Sequence, residues 1–207
     1  MRRQLYFISR HFILISFLMV LSYAYSADPA LKFDEFLANF ESIKLPFTIN
    51  GSKVISRYHE RLSDFKGRID AVTSNKFFGT NYDLERDYWD EGHFYKYKYD
   101  LKDYTLLIVE HCVIAGCGIK FINEIEIYVF RNETLIDNAI LGSYSMAFSM
   151  GIGYRSIESV IEILEDEIAV KEVYKESDFD EIPKFEEINK YIFKIDDNGK
   201  ITKHSIK

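Results

Sequence analysis

The spacing of apolar residues divides the chain into two regimes. Between positions 33 and 65 they recur at helical intervals: Phe33, Phe36, Leu37 and Phe40 with Ile43 one turn on, then Val54, Ile55, Tyr58, Leu62 and Phe65. Recurrence at i, i+3, i+4 and i+7 lines up side chains on one side of a 3.6-residue helix. Asp28-Pro29 offers a capping oxygen and a preset φ for the first helix, and Leu45-Pro46 ends it. The second opens at Ser52 and stops at Gly67, although Asn50-Gly51 is also a two-residue hairpin signal. Residues 74–92 are polar and turn-rich, with room for one short helix.

From His93 onward the period is two. Tyr95, Tyr97 and Tyr99 alternate with Phe94, Lys96 and Lys98, which predicts one strand with the three tyrosines on one face. A β-branched run over 104–114 follows, and then Ile125, Ile127 and Val129 alternate with Glu124, Glu126 and Tyr128. Further strands are predicted at 135–141, 160–164, 168–174, 191–195 and 201–206, the last two joined by an Asp197-Asn198-Gly199 turn. Ile157, Val160, Ile161 and Leu164 also fit helical spacing, so a helix is the competing reading of this stretch. Helices followed by strands predict an α+β fold, with N-terminal helices packed on one face of an antiparallel β-meander sheet.

Ahead of this domain the pattern is that of an address. Arg2, Arg3 and Arg10 precede an apolar run over 12–24, and Ala24 and Ser26 form a small-residue cleavage signature. Residues 1–26 are therefore expected to be a signal peptide and 27–207 a single globular domain, with the mature chain starting at Ala27, or at Tyr25 if cleavage follows Ala24. The 13-residue run spans only about 20 Å of a ~30 Å hydrocarbon core, which favours cleavage over anchoring. No cysteine lies near the cleavage site to carry a lipid. The expected location is secreted or periplasmic, with no membrane association after cleavage.

Charge narrows the partners. The net charge of −7 becomes −10 once 1–26 are removed, because the leader holds three basic residues and no acidic one. Residues 158–187 contain twelve acids against three lysines, read as a solvated sheet face plus a loop, with a docking surface for a basic partner as the sharper alternative. This sign argues against nucleic acid, which calls for clustered Lys and Arg.

Candidate chemistry is sparse. Cys112 and Cys117 bracket Ala115-Gly116, and a turn there in an oxidising compartment would allow a disulfide. His111 is adjacent to Cys112, but strand neighbours point to opposite faces, so the two form no nucleophile pair. His59, His93 and His204 stand at no metal-ligand spacing, and His59-Glu60 lacks the second histidine of H-E-x-x-H, so no metal site is expected. Asp196-Asp197-Asn198-Gly199 fails as a calcium loop, since Lys194 and Ser205 occupy positions that need acids. Neither a phosphate-binding glycine loop nor a G-x-S-x-G elbow occurs, and no cofactor or catalytic residue is indicated. Trp89, Tyr95, Tyr97 and Tyr99 form a candidate aromatic platform for a protein or carbohydrate, or else cover the helices. Asn50 and Asn132 head glycosylation sequons.

Taken together, these features predict an exported, non-enzymatic binding or interaction protein with an acidic surface, an immunity- or inhibitor-type protein being a special case. The alternative is a secreted hydrolase whose carboxylate or His–carboxylate site is assembled only in the fold.

Overall fold

In a computed structural model of the chain, residues 31–50, 67–79, 89–115, 120–149, 153–178 and 183–206 are described. The expected cleavage site and the helix expected over 52–67 lie outside them, apart from Gly67. Among the described residues, two short helices, α1 (Phe33–Leu37) and α2 (Ala71–Phe78), accompany ten strands. The strands are β1 (Glu41–Ser42), β2 (Phe47–Asn50), β3 (Trp89–Leu101), β4 (Tyr104–Ala115), β5 (Lys120–Arg131), β6 (Thr134–Ser149), β7 (Gly153–Ile163), β8 (Ile168–Ser177), β9 (Pro183–Ile195) and β10 (Ile201–Ile206). All ten belong to one sheet, in which β3 to β10 run as an antiparallel meander. No described helix is long and apolar enough to cross a membrane.

The expected α+β arrangement is corrected: the domain is mostly β, a single ten-stranded sheet with two short helices among the described residues. The first helix shows why. Phe33, Phe36 and Phe40 are buried at helical spacing, and Glu35 accepts the Lys32 N–H at the helix start. The helix nonetheless ends at Leu37, where Asn39 and Lys98 donate to carbonyls of its last turn. Beyond it the chain is drawn into the sheet. β1 pairs in parallel with β3, and β2 pairs antiparallel with β7. Ile43, Leu45, Phe47 and Ile49 alternate along this segment and all four pack against the main core, so its own period is that of a strand and not of a helix carried on past Phe40.

By bridging β3 and β7, residues 41–50 also close the meander on itself. Inward side chains from β3 to β9 therefore share one core, including Tyr99, Leu106, Ile108, Ile127, Ile161 and Phe193. The β9–β10 turn seals one end. Asp196 accepts the N–H groups of Asn198 and Lys200, and Tyr104 donates to the Asp197 carbonyl at 2.6 Å. Gly199 has φ +79°, and a Cβ there would lie 2.6 Å from the Tyr104 ring.

The other face of β3, β4 and β5 carries a second apolar layer. Phe36 stacks on Phe77 at 4.3 Å between ring centroids, Phe33 meets Phe130, and Phe78 meets Tyr128. α2 is held there by the Asp70 side chain, which accepts the Thr73 N–H, and by left-handed Gly79 at its end. The Glu124–Glu126–Tyr128 side of β5 is thus a helix-covered interface, and that positions the site.

Candidate metal centre

A single irregularity in β3 assembles the site. From Leu101↔Tyr104 to Tyr97↔Ile108 the β3–β4 hairpin is in strict register, but Tyr95 then pairs with Val109, leaving Lys96 as an extra residue. Counted back without that bulge, His93 would fall opposite Cys112 and face the main core. With it, His93 stands opposite His111 on the helix-covered face. His111 in turn pairs with Glu124, and Glu126 follows two residues along β5 on the same side.

The four side chains converge. His93 Nε2 lies 3.3 Å from Glu126 Oε2, and His111 Nδ1 lies 3.5 Å from Glu126 Oε1 and 3.4 Å from Glu124 Oε2. Ligand atoms of His93, His111 and Glu126 all fall within 4.8 Å of one another. The two imidazoles stack at 4.5 Å between centroids. His93 is 2% exposed and Glu126 8%, beneath Phe78, whose ring centroid is 5.5 Å from that of His93.

Partners behind these groups fix their orientation. Ser74 Oγ of α2 is 3.0 Å from His93 Nδ1, leaving Nε2 turned toward the carboxylates. The Tyr128 hydroxyl donates to Glu126 Oε2 at 2.5 Å. Burial on its own would raise the Glu126 pKa, but hydrogen bonds from His111, His93 and Tyr128, with the charge of His93, outweigh it. Glu126 is held ionised, well below the usual carboxylate range.

Two imidazole nitrogens and two carboxylates in this spacing suit a borderline divalent ion such as zinc or cobalt better than calcium or magnesium, which favour all-oxygen sites. In a tetrahedral site with bonds of ~2.0–2.1 Å, neighbouring donor atoms stand about 3.3–3.4 Å apart. Three separations, 3.3, 3.4 and 3.5 Å, are near that edge, those to Glu126 being made to its two different oxygens, and the ligand atoms of His93, His111 and Glu126 lie within 4.8 Å of one another.

The opposite face of the same strands holds a different polar group: buried Glu110 pairs with Lys96 and accepts from Asn123. Here the carboxylate already has an ammonium and an amide, the ordinary way to bury a charge.

This geometry corrects the expectation that the histidines are isolated. Sequence spacing missed the cluster because its members come from three strands and meet only through the bulged register. Of the other candidates, Cys112 is buried on the core side of β4, and Cys117 lies outside the described residues, as does the proposed bridge between them. The tyrosine platform is divided by the bulge. Tyr95 packs on Phe36 and Phe40 beside the helices, whereas Tyr97 meets Phe47 and Tyr99, 6% exposed, joins the main core. The side chain of Trp89 is outside the described ones, as is His59. His204 is exposed on β10, and Asn50 and Asn132 are exposed. Phe185, Ile188 and Ile206, on β9 and β10, are the described apolar side chains that face solvent most openly in this part of the sheet.

No family model, curated protein or solved structure matches the chain.

Proposed function

We propose that the chain is an exported, non-enzymatic binding protein whose ligand is a divalent transition-metal ion held by His93, His111 and Glu126, with Glu124 beside them. The carrying observation is the convergence of His93, His111 and Glu126, whose ligand atoms all lie within 4.8 Å of one another, with Glu124 beside His111 and with Ser74 and Tyr128 orienting the group from behind. Export is supported by the basic, apolar and small-residue segments of 1–26.

A hydrolase also uses histidine and carboxylate, but it must admit a substrate to them. Burial of His93 and Glu126 beneath Phe78 suits a bare ion better than a scissile bond.

The test is titration of the purified exported chain with Zn²⁺ by calorimetry and with Co²⁺ by visible absorption. One equivalent should bind, with the intense bands of tetrahedral Co²⁺, and His93→Ala and Glu126→Gln should each abolish it while far-UV circular dichroism is retained. Absence of binding by the unaltered chain would refute the metal reading. N-terminal sequencing of the exported material should begin at Ala27 or Tyr25; retention of Met1 in a membrane fraction would refute export by cleavage.

A further inference from the structure

We infer that α2 is a metal-dependent latch, and that Ser74 is the positioning residue through which the ion fixes it. The inference rests on the metal reading and adds how that site is regulated.

Three observations place α2 over the site. Ser74 is fully buried, with its hydroxyl 3.0 Å from the His93 nitrogen that faces away from the carboxylates. Phe78, one turn on, covers both the His93 ring and the ring of Tyr128, which holds Glu126. Just before the helix, the Ile69 N–H donates to the His93 carbonyl and the Tyr95 N–H to that of Gly67. The helix therefore stands on His93 through main chain and side chain, and on Glu126 through one intermediate.

The dependence runs both ways. An eight-residue helix is well below the ~12–15 residues needed for marginal stability in isolation, so α2 persists by docking. Its floor includes His93 and the Tyr128–Glu126 pair, which an ion would hold in one arrangement. Conversely, an ion on His93 Nε2 requires the ring proton on Nδ1, and Ser74 Oγ is the acceptor placed to receive it. The same roof that orients the ligand covers the His93 side of the site, while His111 and Glu124 on the other side keep partial exposure. By linkage, whatever stabilises the docked helix raises metal affinity, and the ion stabilises the docked helix by the same factor.

The experiment is hydrogen exchange of the α2 amides, read at Phe77, Phe78 and Gly79, with and without saturating Zn²⁺. It is run on the unaltered chain and on Ser74→Ala and Ser74→Thr variants. In the unaltered chain Zn²⁺ should slow exchange at these amides at least tenfold. Ser74→Ala should still take up one equivalent, with affinity lower by roughly 10–100-fold, and should lose most of the slowing. Ser74→Thr, which keeps the hydroxyl, should restore both, a rescue that a purely space-filling role would not give. Zn²⁺ uptake with unchanged α2 exchange overturns the latch and leaves the metal site standing. Equal affinity of Ser74→Ala and the unaltered chain overturns the role of Ser74. Failure of the unaltered chain to bind overturns both readings together.

Discussion

His93 and His111 face each other directly across β3 and β4, with imidazole planes 25° from parallel, and a one-residue bulge is what sets them there. His111→Phe separates the stack from the ligand, because a phenyl ring preserves the contact with His93 and removes the donor. At a hundredfold excess over Kd, bound metal contributes about 2.7 kcal/mol, or roughly 5–10 °C in melting temperature for a domain of this size. Thermal melts with and without Zn²⁺ should show this rise in the unaltered chain and none in His111→Phe. An equal rise in both would remove His111 from the ligand set.

Phe36 is the centre of the helix-side layer, in ring contact with Phe33, Phe40, Phe77, Phe78 and Tyr95, and it has no exposed surface. Phe36→Ala leaves a cavity between helices and sheet and should cost about 3–5 kcal/mol. Urea unfolding checks the value. A loss under 1 kcal/mol would mean that the helical cover adds little to the stability of the sheet.

Gly199 combines a left-handed backbone with close approach to Tyr104. Gly199→Ala meets both obstacles, strain at φ +79° and a Cβ 2.6 Å from the ring, and should destabilise by about 1–3 kcal/mol. The same denaturation measurement applies. A neutral outcome would show that the β9–β10 turn moves off the β4 end without penalty.

Burial, and then the negative charge of Asp70, push the Tyr95 phenol up to about 12 from 10.0, and burial pushes Tyr99 up as well. A phenol whose pKa is higher in the folded state contributes stability below the unfolded pKa of ~10, and that stability is lost as pH climbs through the folded value. Tyrosinate absorbance should therefore show these two phenols un-ionised at pH 11 in the native protein, ionising only as the fold is lost. Asp70→Asn keeps a capping side chain and removes the charge, so it should move Tyr95 down and leave Tyr99 in place. Both rings ionising at pH 10 in the native state would contradict their burial.

The β4–β5 ladder runs unbroken past Cys112 to Ala115↔Lys120. Cys112 thus lies three residues, ~10 Å, before the last pair, against a Cα span of ~4.4–6.8 Å for a disulfide. Thiol counting on unreduced, denatured protein decides the bridge to Cys117. Finding no titratable thiol would bear out the bridge expected from the sequence, and finding two would refute it.

Much of the strand pattern was legible from sequence because it is local. Alternation in Ile125, Ile127 and Val129, the β-branched run of β4, and the Asp-Asn-Gly turn before β10 each act over a few residues, as does the burial of Phe33, Phe36 and Phe40 at helical spacing. The 41–50 segment carries a local signal too, since Ile43, Leu45, Phe47 and Ile49 alternate, and a helix read through Ile43 passes over it. Its partners β3 and β7 lie far along the chain, and no local rule names them. The site was hidden for that second reason. His93, His111 and Glu126 are separated by 18 and 15 residues, and a single extra residue at Lys96 decides whether His93 faces histidine or the core. The same residue divides Tyr95 from Tyr97 and Tyr99. Side-chain type and alternation belong to the sequence, whereas the face on which a side chain ends depends on register, and register is settled only when whole strands pack.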